Sequence, residues 1–547
     1  MVTSARIWGE KNVNNGRVGH RGRAPKLEKQ ASQDAPDSQI AREGAAGTSR
    51  RDFLGISALG ALGVAATLLP ETVRAGASMP ETARAAVSVT STEKFAPQSD
   101  ISIWVTSGDQ RFASGPAIEW TAAQPSSSVE RIILNPELKF QEVLGFGGAF
   151  TDATCWTFNR LTQQERDELF HEMFHPSEMG LNVCRICVGG SDYSRTVYSF
   201  DEGAPDPDLT RFSIDHDREY IIPILRQARQ ANPDLFLFSS PWSPPGWMKF
   251  NNSMLGGSMR KFYFAAYAQY YLKYLRGYAE AGVPIEALTS QNEVDTDQDG
   301  KMPACLWGQE YEIAFVRDHL GPLLEREGVR TKIWILDHNY NLWGRVVDSL
   351  EDDGLRQYCN AVAWHGYAGT PDMMSRVKDA FPEVEMYWTE GGPDYTDPEY
   401  LTDWWKWGMT FTDVMRNWCR SITSWNLALD EHGKPNVGPF SCGGAVTIDS
   451  QTRKITRSGQ FWAFAHYSRL VRRGARRFDS QSAGPELSGS AAGMMDPVRH
   501  VAFQNPDGRQ AVILTNPGLE RVVEIQLAGH AAQVPLKEKS LTTLAWS

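Results

Sequence analysis

The run Leu181-Asn182-Val183-Cys184-Arg185-Ile186-Cys187-Val188 can be read in two ways. Cys184 and Cys187 have the spacing of a redox or metal pair, but no second cysteine pair stands at zinc-site spacing in the chain. Free cysteine is among the most buried residue types, and the rest of the run is mostly apolar. It therefore reads as a buried strand in which both cysteines pack. A strand nearly continuous in apolar residues is covered on both faces, as strands of parallel sheets are.

The same pattern recurs on both sides of this run. Val143–Phe150 precedes it; Leu235–Pro241, Ala287–Glu293, Lys332–Asp337, Ala361–Tyr367, Glu385–Glu390 and Ser421–Leu427 follow, making eight strand candidates. Helical segments lie between them. Arg260–Ala279 carries Phe262, Phe264, Ala266, Tyr270, Tyr274 and Tyr278 at helical spacing, and Thr162–Phe174, Asp215–Ala228, Gln309–Glu325 and Asp403–Trp418 read similarly. Eight β units alternating with helices predict an α/β chain folded as a (β/α)8 TIM barrel. A doubly wound dinucleotide-binding sheet fits less well, because Gly145-Phe146-Gly147-Gly148 lacks the dinucleotide spacing.

Outside the barrel, Ser102–Thr106 and Ala117–Thr121 come before it, and Val501–Gln504, Gln510–Thr515, Val522–Leu527 and Leu541–Trp546 come after. Turns such as Asn505-Pro506-Asp507-Gly508 separate these short strands. They predict one β-sandwich built from both chain ends. The expected organisation is an extension and signal over 1–77, a linker with the first sandwich strands over 78–140, the barrel over 141–468 and the rest of the sandwich over 469–547.

The chain has 547 residues, 41% hydrophobic and 22% charged, an ordinary globular composition. Its formal net charge is −11 without a basic tract in the folded part, which argues against a nucleic-acid partner. Eighteen Trp and 17 Tyr offer flat faces that suit sugar rings. Seven cysteines, scattered and odd in number, make no disulfide framework. Near the front, Ser49-Arg50-Arg51-Asp52-Phe53-Leu54 leads into an uncharged stretch ending at Leu69, and Ala75-Gly76-Ala77 supplies small residues at cleavage spacing. These features predict a twin-arginine export signal and a periplasmic or secreted product. The stretch is too short and too rich in Gly and Ser for a stable membrane span.

A barrel of this kind carries its active site at the C-terminal ends of the strands. The fourth candidate strand ends in Ser290-Gln291-Asn292-Glu293, and the seventh leads into Trp388-Thr389-Glu390-Gly391-Gly392. Two carboxyl groups facing each other across a barrel mouth are what retaining glycoside hydrolysis needs, one protonated to serve the leaving oxygen and one ionised to attack the anomeric carbon. Asn292 is placed to hydrogen-bond a sugar 2-hydroxyl. A lone Glu at a strand end is more often an ion-pair or capping residue; two at these positions reverse that. No cofactor is implied, and no His/Asp cluster shows metal-ligand spacing along the sequence.

At these residues the sequence resembles glycoside hydrolase family thirty, the family of lysosomal glucosylceramidase and its bacterial relatives. The motifs are Gly145-Phe146-Gly147-Gly148-Ala149-Phe150-Thr151-Asp152-Ala153, Pro241-Trp242-Ser243-Pro244-Pro245-Gly246-Trp247-Met248-Lys249, Asn292-Glu293, Trp388-Thr389-Glu390 and Ser424-Trp425-Asn426-Leu427-Ala428-Leu429, in the family's order. The resemblance implies Glu293 as acid/base and Glu390 as nucleophile. It also implies that Asp152, Trp242, Asn292 and Trp425 line the glycone pocket, and that His365 and Tyr367 lie near the nucleophile, with Tyr367 hydrogen-bonding Glu390. The implied substrate is a carbohydrate or glycolipid. Glucosylceramide comes first, with β-1,6-glucan or another β-glycoside as the alternative and a non-catalytic sugar binder disfavoured by the paired carboxylates. Val294 stands where the family usually has Pro after Asn-Glu.

Overall fold

The computed structural model describes residues 95–124, 129–484 and 497–547. The expected signal at 49–77 lies outside these residues. Eight strands pair in parallel, each with the next: β1 (Gly145–Phe150), β2 (Val183–Cys187), β3 (Phe236–Ser240), β4 (Ala287–Thr289), β5 (Lys332–Asn339), β6 (Ala361–His365), β7 (Glu385–Glu390) and β8 (Cys419–Leu429). β8 then closes the barrel, pairing with β7 on one side and β1 on the other.

β2 shows why the sequence folds this way. Strand side chains alternate between faces. Val183 joins the interior cluster with Phe238, Ala287, Trp334 and Tyr387, while Cys184 and Ile186 pack into the large core beneath the helices. Cys187 belongs to a third cluster, with Trp242 and Trp425. The two cysteines of the Cys-x-x-Cys run thus sit in different clusters, both buried and free. Trp334 stacks on Tyr387 at 4.0 Å and plugs the barrel below the site.

The sandwich is a ten-stranded hydrogen-bonded sheet that draws four strands from before the barrel and six from after it. Its centre is Glu130–Glu142, a 13-residue strand paired antiparallel with Arg476–Ala483 and parallel with Arg521–Leu527. Gln510–Asn516 is buried throughout: Val512 and Leu514 face the sandwich core, whereas Ala511 and Ile513 join the core beneath the barrel helices. On the facing helix, Trp404–Arg416, an added Cβ at Gly408 would lie 2.6 Å from a Leu541 methyl, so the approach demands glycine.

Four sequence expectations need correction. The fourth strand is regular only over Ala287–Thr289, because Glu293 takes a left-handed backbone, φ 51°. The segment Gln309–Glu325 is not one α-helix: a π-turn over Val316–Leu320 interrupts it just before Gly321, whose Cα is crowded by the Tyr358 ring. The segment Asp215–Ala228 breaks at Tyr220, φ −143°. Ala117–Thr121 contributes only a bridge at Ile118 and the two-residue strand Thr121–Ala122. In the barrel sheet two further strands went unread in the sequence, β9 (Gly444–Ile448) and β10 (Ile455–Arg457), which extend it beyond β8; in the sandwich Gln110–Ser114, Glu130–Glu142, Arg476–Ala483 and His530–Leu536 also went unread.

Candidate active site

The C-terminal strand ends surround a cavity of about 440 Å³, lined among others by Asp192, Trp242, Asn292, Glu293, His338, Tyr367, Glu390, Trp425 and Phe440. Trp242 follows β3 and Trp425 lies within β8; their rings stack at 4.8 Å and form one aromatic wall. Glu390 is the last residue of β7. Glu293 lies beyond β4, and its backbone N–H donates to the Asp337 carbonyl at 2.9 Å. Leu336 and Asp337 also have positive φ, 73° and 47°, and the β5–β6 register shifts there. Three left-handed non-glycine residues side by side store strain of roughly 1–3 kcal/mol each, of the kind that gathers at functional sites.

Arg185, fully buried on β2, organises the floor. Nη1 donates to Glu390 Oε2 at 2.5 Å, Nη2 to Asn292 Oδ1 at 2.8 Å and to Asp337 Oδ2 at 2.5 Å, and Nε to Ser240 at 3.0 Å. Its guanidinium also lies over the Trp242 ring at 4.7 Å. Tyr367 donates to the other Glu390 oxygen at 3.0 Å. Glu293 has different company: Gln298 donates to Oε2 at 2.6 Å, while His365 Nδ1 and His338 Nδ1 stand 3.5 and 3.8 Å from Oε1.

These contacts set the charges. Burial pushes the Asp337 carboxyl up, but Arg185 and His365 overcome it and hold Asp337 far below the usual carboxylate range. Burial alone would depress the His365 imidazole; Glu390, Asp337 and Glu293 reverse this and lift it to about 9. Burial also raises the Glu390 carboxyl, against the pull of His365 and Arg185, while at Glu293 the histidines outweigh burial and lower it. Only at Glu390 does a direct charge-assisted bond come from arginine, which never deprotonates.

Residues 143–471 match the model of the glycosyl hydrolase family 30 TIM-barrel domain, and residues 474–544 match that of the family 30 β-sandwich domain. The chain belongs to glycosyl hydrolase family 30. An endo-1,6-β-D-glucanase of Neurospora crassa is 30% identical over 416 residues, 73% of this chain and 84% of that protein. A putative glucosylceramidase 1 of Caenorhabditis elegans is 28% identical over 433 residues, 74% of this chain and 81% of that one. The solved structure of the endo-β1,6-glucanase BT3312 superposes with a TM-score of 0.73 at 26% identity, covering 82% of this chain and all of that one. The protein is a glycoside hydrolase.

Within this family 30 site, the structure gathers Trp242, Asn292, Glu293, Tyr367, Glu390 and Trp425 on the cavity wall. His365 is fully buried behind it, touching Glu293 and Asp337. Asp152 is not among the lining residues. It opens the helix Asp152–Asn159 and accepts from the Arg195 backbone N–H and the Tyr220 hydroxyl, so its carboxylate serves the packing of that helix. A different acid, Asp192 in the loop after β2, lines the cavity with Oδ1 unpartnered. Burial, then the Glu390 and Glu293 charges, push its carboxyl well up. Sequence reasoning missed Asp192, Arg185, Asp337 and His338. The signals were an arginine and an aspartate inside otherwise apolar strands, which are costly unless paired.

Proposed function

We propose that the enzyme hydrolyses β-glucosidic bonds with retention, through a covalent glycosyl-enzyme on Glu390, with Glu293 as acid/base. The observation that carries this reading is the unequal treatment of two facing carboxyls. Glu390 is held by Arg185 and Tyr367 on both oxygens and aimed for attack. Glu293 is free of any fixed cation and neighbours two histidines that can exchange its proton. The Trp242–Trp425 wall receives the sugar ring, Asn292 has its amide oxygen tied to Arg185 and its NH2 available to the 2-hydroxyl, and Asp192 takes a hydroxyl with its unpartnered oxygen. His365 and Tyr367 act through the carboxyls they touch.

For the substrate, β-1,6-linked glucan is the first reading, supported by endo-1,6-β-glucanases among both the sequence relatives and the solved structures. A glucosylceramide-type glycolipid is the second. It is favoured by Phe250, Leu255 and Leu306, exposed apolar side chains on a loop pair bridged beside the cavity residue Met302. Export through Arg50-Arg51 belongs to the same proposal; among the described residues no helix is long and apolar enough to cross a membrane.

The test is hydrolysis of an aryl β-glucoside, β-1,6-glucan and glucosylceramide, with the anomer first released followed by NMR. Oligosaccharides from the glucan, appearing first as the β-anomer, support the reading. An α-anomer as first product overturns retention, and glucose from glucosylceramide alone moves the substrate to the glycolipid.

A further inference from the structure

Three donor atoms converge beside the acid/base. Glu293 Oε1 lies 3.5 Å from His365 Nδ1 and 3.8 Å from His338 Nδ1, and all three atoms fall within 4.8 Å of one another. Both imidazoles are buried, and neither Nδ1 has a hydrogen-bond partner. Their far nitrogens are anchored on carboxylates: His365 Nε2 meets Asp337 Oδ1 at 3.0 Å, and His338 Nε2 meets Asp295 Oδ1 at 2.7 Å.

Hydrogen-bond logic then constrains the ring protons. A carboxylate only accepts, so each Nε2 donates its hydrogen to the Asp behind it. With Nε2–H turned to an Asp, Nδ1 is the nitrogen that each ring presents to Glu293, and the one free to coordinate once it carries no proton.

We infer that Glu293, His338 and His365 form a binding site for a divalent transition ion of the zinc class, and that the bound ion inhibits the enzyme by taking the acid/base carboxylate. The donor set is two imidazoles and one carboxylate, with carboxylates behind both imidazoles, the arrangement that raises ligand basicity and fixes ring orientation in zinc sites. Ligands at about 2.0–2.1 Å around a tetrahedral ion stand about 3.3 Å apart, and the two edges from Glu293, 3.5 and 3.8 Å, lie within a few tenths of an ångström of that. The fourth position opens on the cavity. Binding displaces the proton held between Glu293 and His365 and releases it to water. The leaving oxygen then finds no acid.

The inhibitory half rests on the acid/base role proposed for Glu293; the binding half does not. The experiment titrates metal-stripped full-length enzyme with Zn2+ by calorimetry, with Co2+ absorption as a spectroscopic check, and follows hydrolysis in parallel. The expected result is one Zn2+ per chain, loss of turnover tracking occupancy, and no effect of Mg2+, which prefers an all-oxygen shell. His338→Gln lowers Zn2+ affinity by more than 100-fold if the ring is a ligand, and the milder Asp295→Asn, at a half-exposed position, lowers it by about 10–100-fold. Zn2+ binding that neither variant weakens, or no binding at millimolar Zn2+, overturns the site. Stoichiometric binding that leaves hydrolysis intact overturns the inhibition and, with it, the acid role of Glu293, while the metal site stands.

Discussion

The two sides of the cavity solve the same problem, a carboxyl in a buried place, by opposite means. On the β7 side Glu390 ends a regular strand and meets arginine and tyrosine, partners whose charge state is constant across the physiological range. On the β4 side Glu293 follows a three-residue strand, sits on a left-handed backbone and meets an amide and two histidines. On the proposed roles, the group that keeps one charge is built into regular structure with permanent partners, and the group that cycles its proton is set on strained backbone among titratable ones.

Glu390→Gln tests that division most severely. It removes the oxygen proposed to attack, and on that proposal turnover of natural substrate should fall at least about 10⁴-fold, since no glycosyl-enzyme could form. Near-normal hydrolysis by a preparation shown free of deamidation would erase the distinction between the two sides. Arg185→Leu should come next in size. It leaves Glu390 and Asp337 buried without their cation, and losing one partner of a buried ion pair costs about 3–5 kcal/mol. Urea denaturation reads this directly, and an unchanged midpoint would show that Arg185 is not the anchor.

Glu293→Gln should act selectively. For a substrate with a poor leaving group kcat should drop about 10²–10⁴-fold, the size of general acid catalysis, whereas an aryl glycoside with an acidic leaving group should lose far less in the glycosylation step. Equal losses on both substrates would deny Glu293 the acid role.

Much of this was open to reading in the sequence, and what escaped has physical reasons. The eight strands announced themselves because parallel strands buried on both faces are apolar throughout, and Glu293 and Glu390 stood out as candidates because the strands of such a barrel end at its mouth, where both line the cavity. Asp152 and Asp192 show the limit. Both follow a barrel strand, but Thr151 caps the helix that Asp152 begins and turns its carboxylate toward Tyr220 and Arg195. Asp192 sits in an irregular loop tied to Val437 and Gly438, a contact spanning 245 residues or more that no local pattern reveals. The long strand Glu130–Glu142 hid for a related reason: Ile132 and Leu134 face the core while Ile133 is exposed, so apolarity and burial part company there.

His365 gives a test in pH. Its imidazole is lifted to about 9 in the folded protein, against about 6.5 in an unfolded chain. A folded-state value above the unfolded one means that the native protein binds the proton more tightly. This contribution to stability is fully present below about pH 6.5 and is lost as pH climbs from there through about 9. The wild type should therefore weaken across that window in isothermal denaturation. His365→Asn should flatten it, and an unaltered slope in the variant would assign the loss to another group.

The smallest effect should be Tyr367→Phe. It removes one neutral hydrogen bond to Glu390 and leaves the Arg185 pair in place. One such bond is worth about 0.5–1.5 kcal/mol, so kcat/KM should fall only about three- to tenfold. The comparison sharpens when the same change is made in Arg185→Lys, where the planar guanidinium that holds Glu390 and Asp337 on separate nitrogens is gone and a flexible ammonium replaces it. If Arg185 and Tyr367 hold Glu390 as one unit, the double variant should lose more than the product of the single losses. Simple multiplication would mean that each acts on the nucleophile alone, and the constancy of charge on this side of the cavity would then rest on arginine without help.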